Sequence, residues 1–261
     1  MTTISAVFFL VMCLSLGCLT PSAWAGGPGS TVLSSTDLTA AFHTKGAWYL
    51  VVSQGPDFAP PIWPKDGPLS LCFEHQSDTV CSQEKTGTLE AWHATFPMSP
   101  ILLPSFLAYL KGISIVPQDK VLPFPLLVVR LESMNPGPGS PGGPFIFVYK
   151  PKLDLFELIF QDSTAHNLNQ EIRVVQGGPL SGDVIEAGPC NYPACHHAIT
   201  VYRLTHNARY IKVLEFRGES RYDDGDSRPV IDADMPEILK LMVSGAPRPF
   251  FLFAPGCDSR F

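Results

Sequence analysis

The amino-acid sequence predicts a mainly β protein: antiparallel hairpins forming a sandwich or a small propeller-like array, with two or three short helices. Three observations predict it. Apolar residues recur at period two or in short β-branched and aromatic runs, the pattern of half-buried and buried strands. Proline and glycine, 26 and 21 of the 261 residues, cut the chain into short elements. A weak internal echo also appears: Phe147-Val148-Tyr149-Lys150, a turn and Phe156 to Phe160 resemble Thr200-Val201-Tyr202-Arg203, a turn and Tyr210 to Phe216. Two copies suggest blades or successive hairpins without establishing an array.

Residues 1–25 contain no Lys, Arg, Asp or Glu, and Ala6 to Leu19 form an apolar run ended by Pro21. Ala23-Trp24-Ala25 places small residues at the −3 and −1 positions before Gly26, so residues 1–25 read as a secretory signal peptide. The run falls short of the roughly 20 residues that cross a bilayer, and prolines from Pro100 to Pro125 chop the middle apolar region, so no transmembrane segment is expected in the mature chain. Gly17-Cys18 offers a lesser option, a lipoprotein anchored at Cys18. Residues 26–34 read as a flexible lead-in and residues 35–261 as a single mainly-β domain.

Within that domain, Asp37 precedes Leu38 to Phe42, a short helix with a polar cap. Trp48 to Ser53 reads as a strand. Leu69, Leu71 and Phe73 alternate with Ser70, Cys72 and Glu74, and a turn at Gln76-Ser77 would set Cys72 opposite Cys81 on a non-hydrogen-bonded pair. That spacing permits a cross-strand disulfide. Thr88 to Phe96 is a further candidate strand. Phe106 to Leu110, after Pro104-Ser105 and before Gly112, reads as a short buried helix. Leu126 to Leu131 and Phe145 to Tyr149 read as strands joined through Met134–Pro144, a tip of turn chemistry. Gly177–His197 reads as a second long loop without core residues. Asp234-Met235-Pro236-Glu237 is a capping box opening a helix that Gly245 ends. Pro247 to Phe253 closes the chain as a candidate edge strand.

Chemistry concentrates in two places. Cys190-Asn191-Tyr192-Pro193-Ala194-Cys195-His196-His197 reads as a small disulfide loop, Cys190 to Cys195, presenting Tyr192, His196 and His197 for binding. Metal ligation and haem attachment are poorer fits, since adjacent histidines diverge in extended chain and four residues separate the cysteines. The bridges expected in an exported chain are therefore Cys72–Cys81 and Cys190–Cys195, with Cys257 left over. Asp224, Asp226 and Asp232 occupy positions 1, 3 and 9 of a carboxylate loop, a spacing that suits calcium; Arg228 at position 5 does not, and the plain alternative is a solvated turn. No metal-protease, phosphate-loop or nucleophile-elbow motif is present; Glu157 or Asp162 could serve in a carboxylate pair, for which the sequence gives no geometry.

The formal net charge of −6 and pI near 5.6 give no basic field, which argues against nucleic acid as a partner. The expectation is an exported, periplasmic or secreted, non-enzymatic binding or structural protein. Its partner would be another envelope or extracellular protein. The alternative is an extracytoplasmic hydrolase with a carboxylate or metal site.

Overall fold

A computed structural model describes residues 29–57, 67, 69–76, 78–81, 108–133, 141–162, 164–165, 170–189, 197–218 and 230–243. The protein is mainly β, as the sequence predicts, and its described strands form three antiparallel meanders in which chain order is also spatial order. The first sheet runs β1 (Thr31–Asp37), β2 (Trp48–Gln54), β3 (Leu69–His75) and β4 (Asp78–Cys81). A short helix, α1 (Thr39–Phe42), joins β1 to β2, and the Asp37 carboxylate accepts the Thr39 N–H at 2.8 Å. The second sheet runs β5 (Ala108–Val116), β6 (Leu126–Ser133), β7 (Pro141–Lys150) and β8 (Leu155–Gln161), with β9 (Thr164–Ala165) pairing the start of β7. The third runs β10 (Glu171–Val174), β11 (Val184–Pro189), β12 (His197–Leu204) and β13 (Tyr210–Gly218). It is followed by α2 (Val230–Val243).

Side-chain alternation turns the three sheets into a stack. Leu127, Val129 and Leu131 of β6, with Phe145, Phe147 and Tyr149 of β7, share a core with Leu50, Val52, Leu71 and Phe73 of the first sheet. Their sequence neighbours Leu126, Val128, Ile146 and Val148 point the other way and meet Val174 and Val184 of the third sheet. The third sheet's opposite face, Ile185, Ala187, Ile199, Val201 and Leu214, packs on Val230, Ile231 and Ile238 of α2. A sheet buried on both faces must read as a continuous apolar run, which is why Leu126 to Val129 lacks polar alternation.

The 69–81 hairpin has the expected register: Cys72 opposite Cys81, Phe73 opposite Val80, Glu74 opposite Thr79 and His75 opposite Asp78. Cys72 and Cys81 form a disulfide with Cα atoms 3.9 Å apart, and Gln76 takes a positive φ of 55° at the turn. The echoed hairpins are β7–β8 and β12–β13, each with a register shift and each turned through a left-handed residue, Asp154 at φ 51° and Ala208 at φ 57°.

Five local expectations give way. Thr31–Asp37 is strand β1, although part of it read as lead-in; its side chains are largely exposed, so pairing with β2 rather than burial defines it. Ala108, Tyr109, Leu110 and Gly112 lie in β5 rather than in or after a helix. Ile113, Ile115 and Val116 continue the run as β-branched residues, and Gly112 marks the register shift against β6. Strand β7 begins at Pro141, inside the supposed tip, and β11 occupies the middle of the supposed 177–197 loop, burying Val184, Ile185 and Ala187. Helix α2 starts at Val230, four residues before the expected capping box, so Pro236 lies inside it. The candidate strands 88–96 and 247–253 fall outside the described residues.

Candidate functional site

Register brings one end of the third sheet together. Glu171 pairs Ala187, Pro189 pairs His197, and His197 pairs Gly218, so the start of β10, the end of β11, the start of β12 and the end of β13 are adjacent. The chain between Pro189 and His197 carries Tyr192 and His196, and the chain between Gly218 and Val230 carries Asp224 and Asp226; both segments therefore leave the described structure from this end. Tyr192, His196, Asp224, Asp226, Cys190, Cys195, Cys257 and residues 1–25 with Cys18 lie outside the described residues.

The outer face at this end is a polar seam between sheet and helix. His197 is fully buried, and its Nε2 meets Asp234 Oδ2 of α2. Gly218 makes room for that contact, because a Cβ there would run into the His197 ring and come within 2.7 Å of Asp234 Oδ2. Glu171, also buried, accepts Arg173 Nε at 2.8 Å through Oε1 and the Ile231 N–H at 3.2 Å through Oε2. A first-turn amide of a helix has no intrahelical acceptor, so a strand carboxylate serves as its cap, and the negative charge also suits the positive helix end. Arg173 completes the seam by donating Nη1–H to Asp232 Oδ1 at 2.5 Å.

Two of the sequence-derived site residues thus have structural partners. His197 is buried against Asp234. Asp232 accepts Arg173 Nη1–H through Oδ1. Among the described residues, no group of three or more His, Cys, Asp or Glu side chains converges as metal ligands.

The inner face of the same end carries carboxylates. Glu186 is half-buried, and Tyr202 donates its hydroxyl to Glu186 Oε2 at 3.3 Å. Burial pushes the Glu186 carboxyl above its ordinary range, and the negative charge of Asp162, just after β8, pushes it further. The Tyr202 hydroxyl is pushed up to about 12 by burial and by the same carboxylates, so it remains a donor at any physiological pH. Glu157, the other carboxylate singled out from sequence, pairs with Lys150 at 2.9 Å on the neighbouring strand.

A second polar cluster ties the first sheet to the second. Asp154, in the β7–β8 turn, accepts Trp48 Nε1–H at 3.2 Å and the Tyr149 hydroxyl at 2.5 Å through Oδ1. His75 stacks on Trp48 with ring centroids 4.4 Å apart and has its Nε2 3.8 Å from Asp154 Oδ2. The Tyr149 hydrogen bond leads the effects that hold the Asp154 carboxyl below the ordinary carboxylate range.

Sequence reasoning missed Glu171, Arg173 and Glu186, and read Asp234 only as a cap. One signal was present: Glu171-Ile172-Arg173-Val174 alternates charged and apolar residues, which places both charges on one strand face. Comparison with protein-family models, with curated proteins and with solved structures finds no match for this chain.

Proposed function

We propose that the protein is an exported, non-enzymatic binding or structural protein that meets another envelope or extracellular protein through the end of its third sheet. The Cys72–Cys81 disulfide carries this reading, because such a bridge persists in oxidising compartments and is rare where thiols are kept reduced. The uncharged apolar leader ending at Ala23-Trp24-Ala25 supports the same destination. Among the described residues no helix is long and apolar enough to cross a membrane.

The way the second and third sheets spend their faces supports this choice of contact surface. The second sheet is covered on both sides, and the third lies between the second sheet and α2. Recognition then falls to strand ends and connections. The connection bearing Tyr192 and His196 supplies an aromatic ring and a polar ring for contact.

Two measurements test the proposal. N-terminal sequencing of the exported chain should find Gly26 first; a lipid-modified Cys18 would move the protein onto a membrane surface, and retention of the uncut chain in the cytoplasm would end the export reading. A photo-crosslinking residue at Tyr192 or His196, introduced in producing cells, should capture a defined partner that the same residue at Lys152, in the β7–β8 turn, does not. Equal capture at both places, or none at either, would remove the third-sheet end as the contact surface.

The half-buried Glu186 carboxyl, pushed up by burial and by the charge of Asp162, favours one second reading, an extracytoplasmic hydrolase using a carboxylate site. It requires turnover of a glycoside or ester panel by the purified chain, abolished in Glu186→Gln. No turnover by the unaltered chain retires it.

A further inference from the structure

A strand at the margin of a sheet leaves half of its backbone N–H and C=O groups without a ladder partner. Proteins guard such margins with shortness, charge or cover. The outer strands of the three sheets are β1, β4, β5, β8, β10 and β13. All but the first are guarded. Strands β4 and β10 have four residues each. Strand β5 carries exposed Lys111, and β13 carries exposed Lys212, Glu215 and Arg217. In β8 every side chain is buried or half-buried.

Strand β1 has none of these devices. Its sequence, Thr31-Val32-Leu33-Ser34-Ser35-Thr36-Asp37, holds no Lys, Arg or Pro and a single charge, at the last residue. Thr31, Val32, Leu33, Ser35 and Asp37 are exposed, Val32 at 53% and Leu33 at 46%. Pairing with β2 holds β1 on one side, and among the described residues no strand pairs its other side.

Ladder geometry fixes which groups face outward. Leu38 donates its N–H to the Trp48 carbonyl at 2.9 Å. From there the register continues without a shift to Ser34 opposite Val52. Hydrogen-bonded and non-hydrogen-bonded pairs alternate in an antiparallel ladder, so Ser34 and Thr36 bond β2, while Ser35 and Asp37 turn their N–H and C=O away from it. The shift at Leu33 ends this regular stretch, which centres the open margin on Ser35.

We propose that β1 pairs antiparallel with β1 of a second copy of this chain about a two-fold axis at Ser35, joining two first sheets into one. An open strand margin recognises extended backbone. In a second copy, β1 is already extended by its pairing with β2, whereas a loose peptide must first lose conformational entropy. The charges also fit. About Ser35 the pairing sets Asp37 opposite Leu33 of the second copy, so neither carboxylate faces the other. It also lays the exposed Val32 and Leu33 beside the second strand, which removes apolar surface from water. Such a contact uses the open margin of both copies at once, and the guarded margins elsewhere stop further growth, so the assembly closes as a dimer. This contact is separate from the one at the end of the third sheet.

The test is sedimentation equilibrium of the full chain from about 1 μM to about 1 mM, the affinity range of small, transient interfaces. The mass should climb towards twice that of the monomer. Over the same series the Ser35 amide should exchange more slowly, while the Ser34 and Thr36 amides, bonded to β2, keep one rate. Ser35→Pro removes an outward N–H without removing a bond to β2, and should hold the chain at monomer mass. Ser35→Lys changes only an exposed side chain, sets two ammonium groups face to face across the axis, and should raise the dissociation constant about tenfold or more. Ile211→Lys, at an exposed residue of the guarded β13, should leave the mass curve unchanged. Monomer mass at every concentration overturns the proposal, and an extended segment of another protein then becomes the occupant to seek. Association that survives both Ser35 variants, or that Ile211→Lys abolishes, overturns it too, as does association that leaves exchange of the Ser35 amide unslowed.

Discussion

Substituting Gly218 by alanine tests the sheet–helix seam most sharply, because the new atom would meet two buried side chains that have nowhere to go. The added Cβ runs into the His197 ring and stands 2.7 Å from Asp234 Oδ2, while His197 is fully buried and Asp234 is 6% exposed. Neither is the free end of a flexible side chain. One of two costs must follow. If the ring keeps its place, backbone shifts of β12 against β13 cost about 1–3 kcal/mol, as for overpacked cores. If the ring is displaced, its contact with Asp234 breaks, and a buried polar group without its partner costs about 1–3 kcal/mol. Either route gives about 1–3 kcal/mol, a fall in melting temperature of roughly 2–12 °C for a domain of this size. The assay is thermal unfolding of Gly218→Ala, His197→Ala and the double variant. His197→Ala removes the atoms that the new Cβ strikes, so the double variant should be no less stable than His197→Ala by more than about 1 kcal/mol. A Gly218→Ala protein melting within 2 °C or so of the unaltered chain would refute the reasoning, as would strict additivity in the double variant.

Replacing Cys72 and Cys81 together by serine should cost about 2–3 kcal/mol, the loop-closure value for a bridge of this span; non-reducing peptide mapping of the unaltered protein should recover the two cysteines on one linked pair, and finding either joined to another partner would defeat the assignment. Asp154→Asn should weaken the tie between the first and second sheets at neutral pH and flatten acid unfolding. Folding depresses the Asp154 carboxyl below 3.8, so its contribution is present above that value and is lost as pH falls through the folded one. Melting curves from pH 7 to pH 2 that run parallel for the two proteins would contradict this.

Several features of the protein were legible along the chain because their causes are local. The 69–81 hairpin is the clearest. A period-two pattern and a two-residue turn suffice to put Cys72 opposite Cys81, and nothing distant has to be known. The hairpins through Lys150–Leu155 and Leu204–Tyr210 were legible for the same reason, since each joins two apolar runs through a short polar turn. Where the local signals were ambiguous, they misled. Ala108 to Gly112 satisfies a short helix with a glycine stop as well as a strand with a bulge, and pairing with β6 decides between them. Val184-Ile185 is too brief a run between glycine-rich stretches to declare a strand, yet β10 on one side and β12 on the other make it a central one.

The candidate site divides along the same line. Sequence alone marked His197 and Asp232 as chemically able residues and Asp162 as a carboxylate with no geometry to test. It had no means to pair His197 with Asp234, 37 positions away, or Glu171 with the Ile231 amide, 60 positions away. Such pairs carry no periodicity and no turn signature. They exist because α2 folds back over the outer face of the third sheet, and because a buried polar group must find a partner among whatever side chains packing brings near. Local pattern by itself determined that this chain is mainly β, hairpin-built and bridged between Cys72 and Cys81. Only the tertiary structure decided that three sheets stack, that one of them is buried on both faces, and that the charges at the end of the third sheet hold a helix.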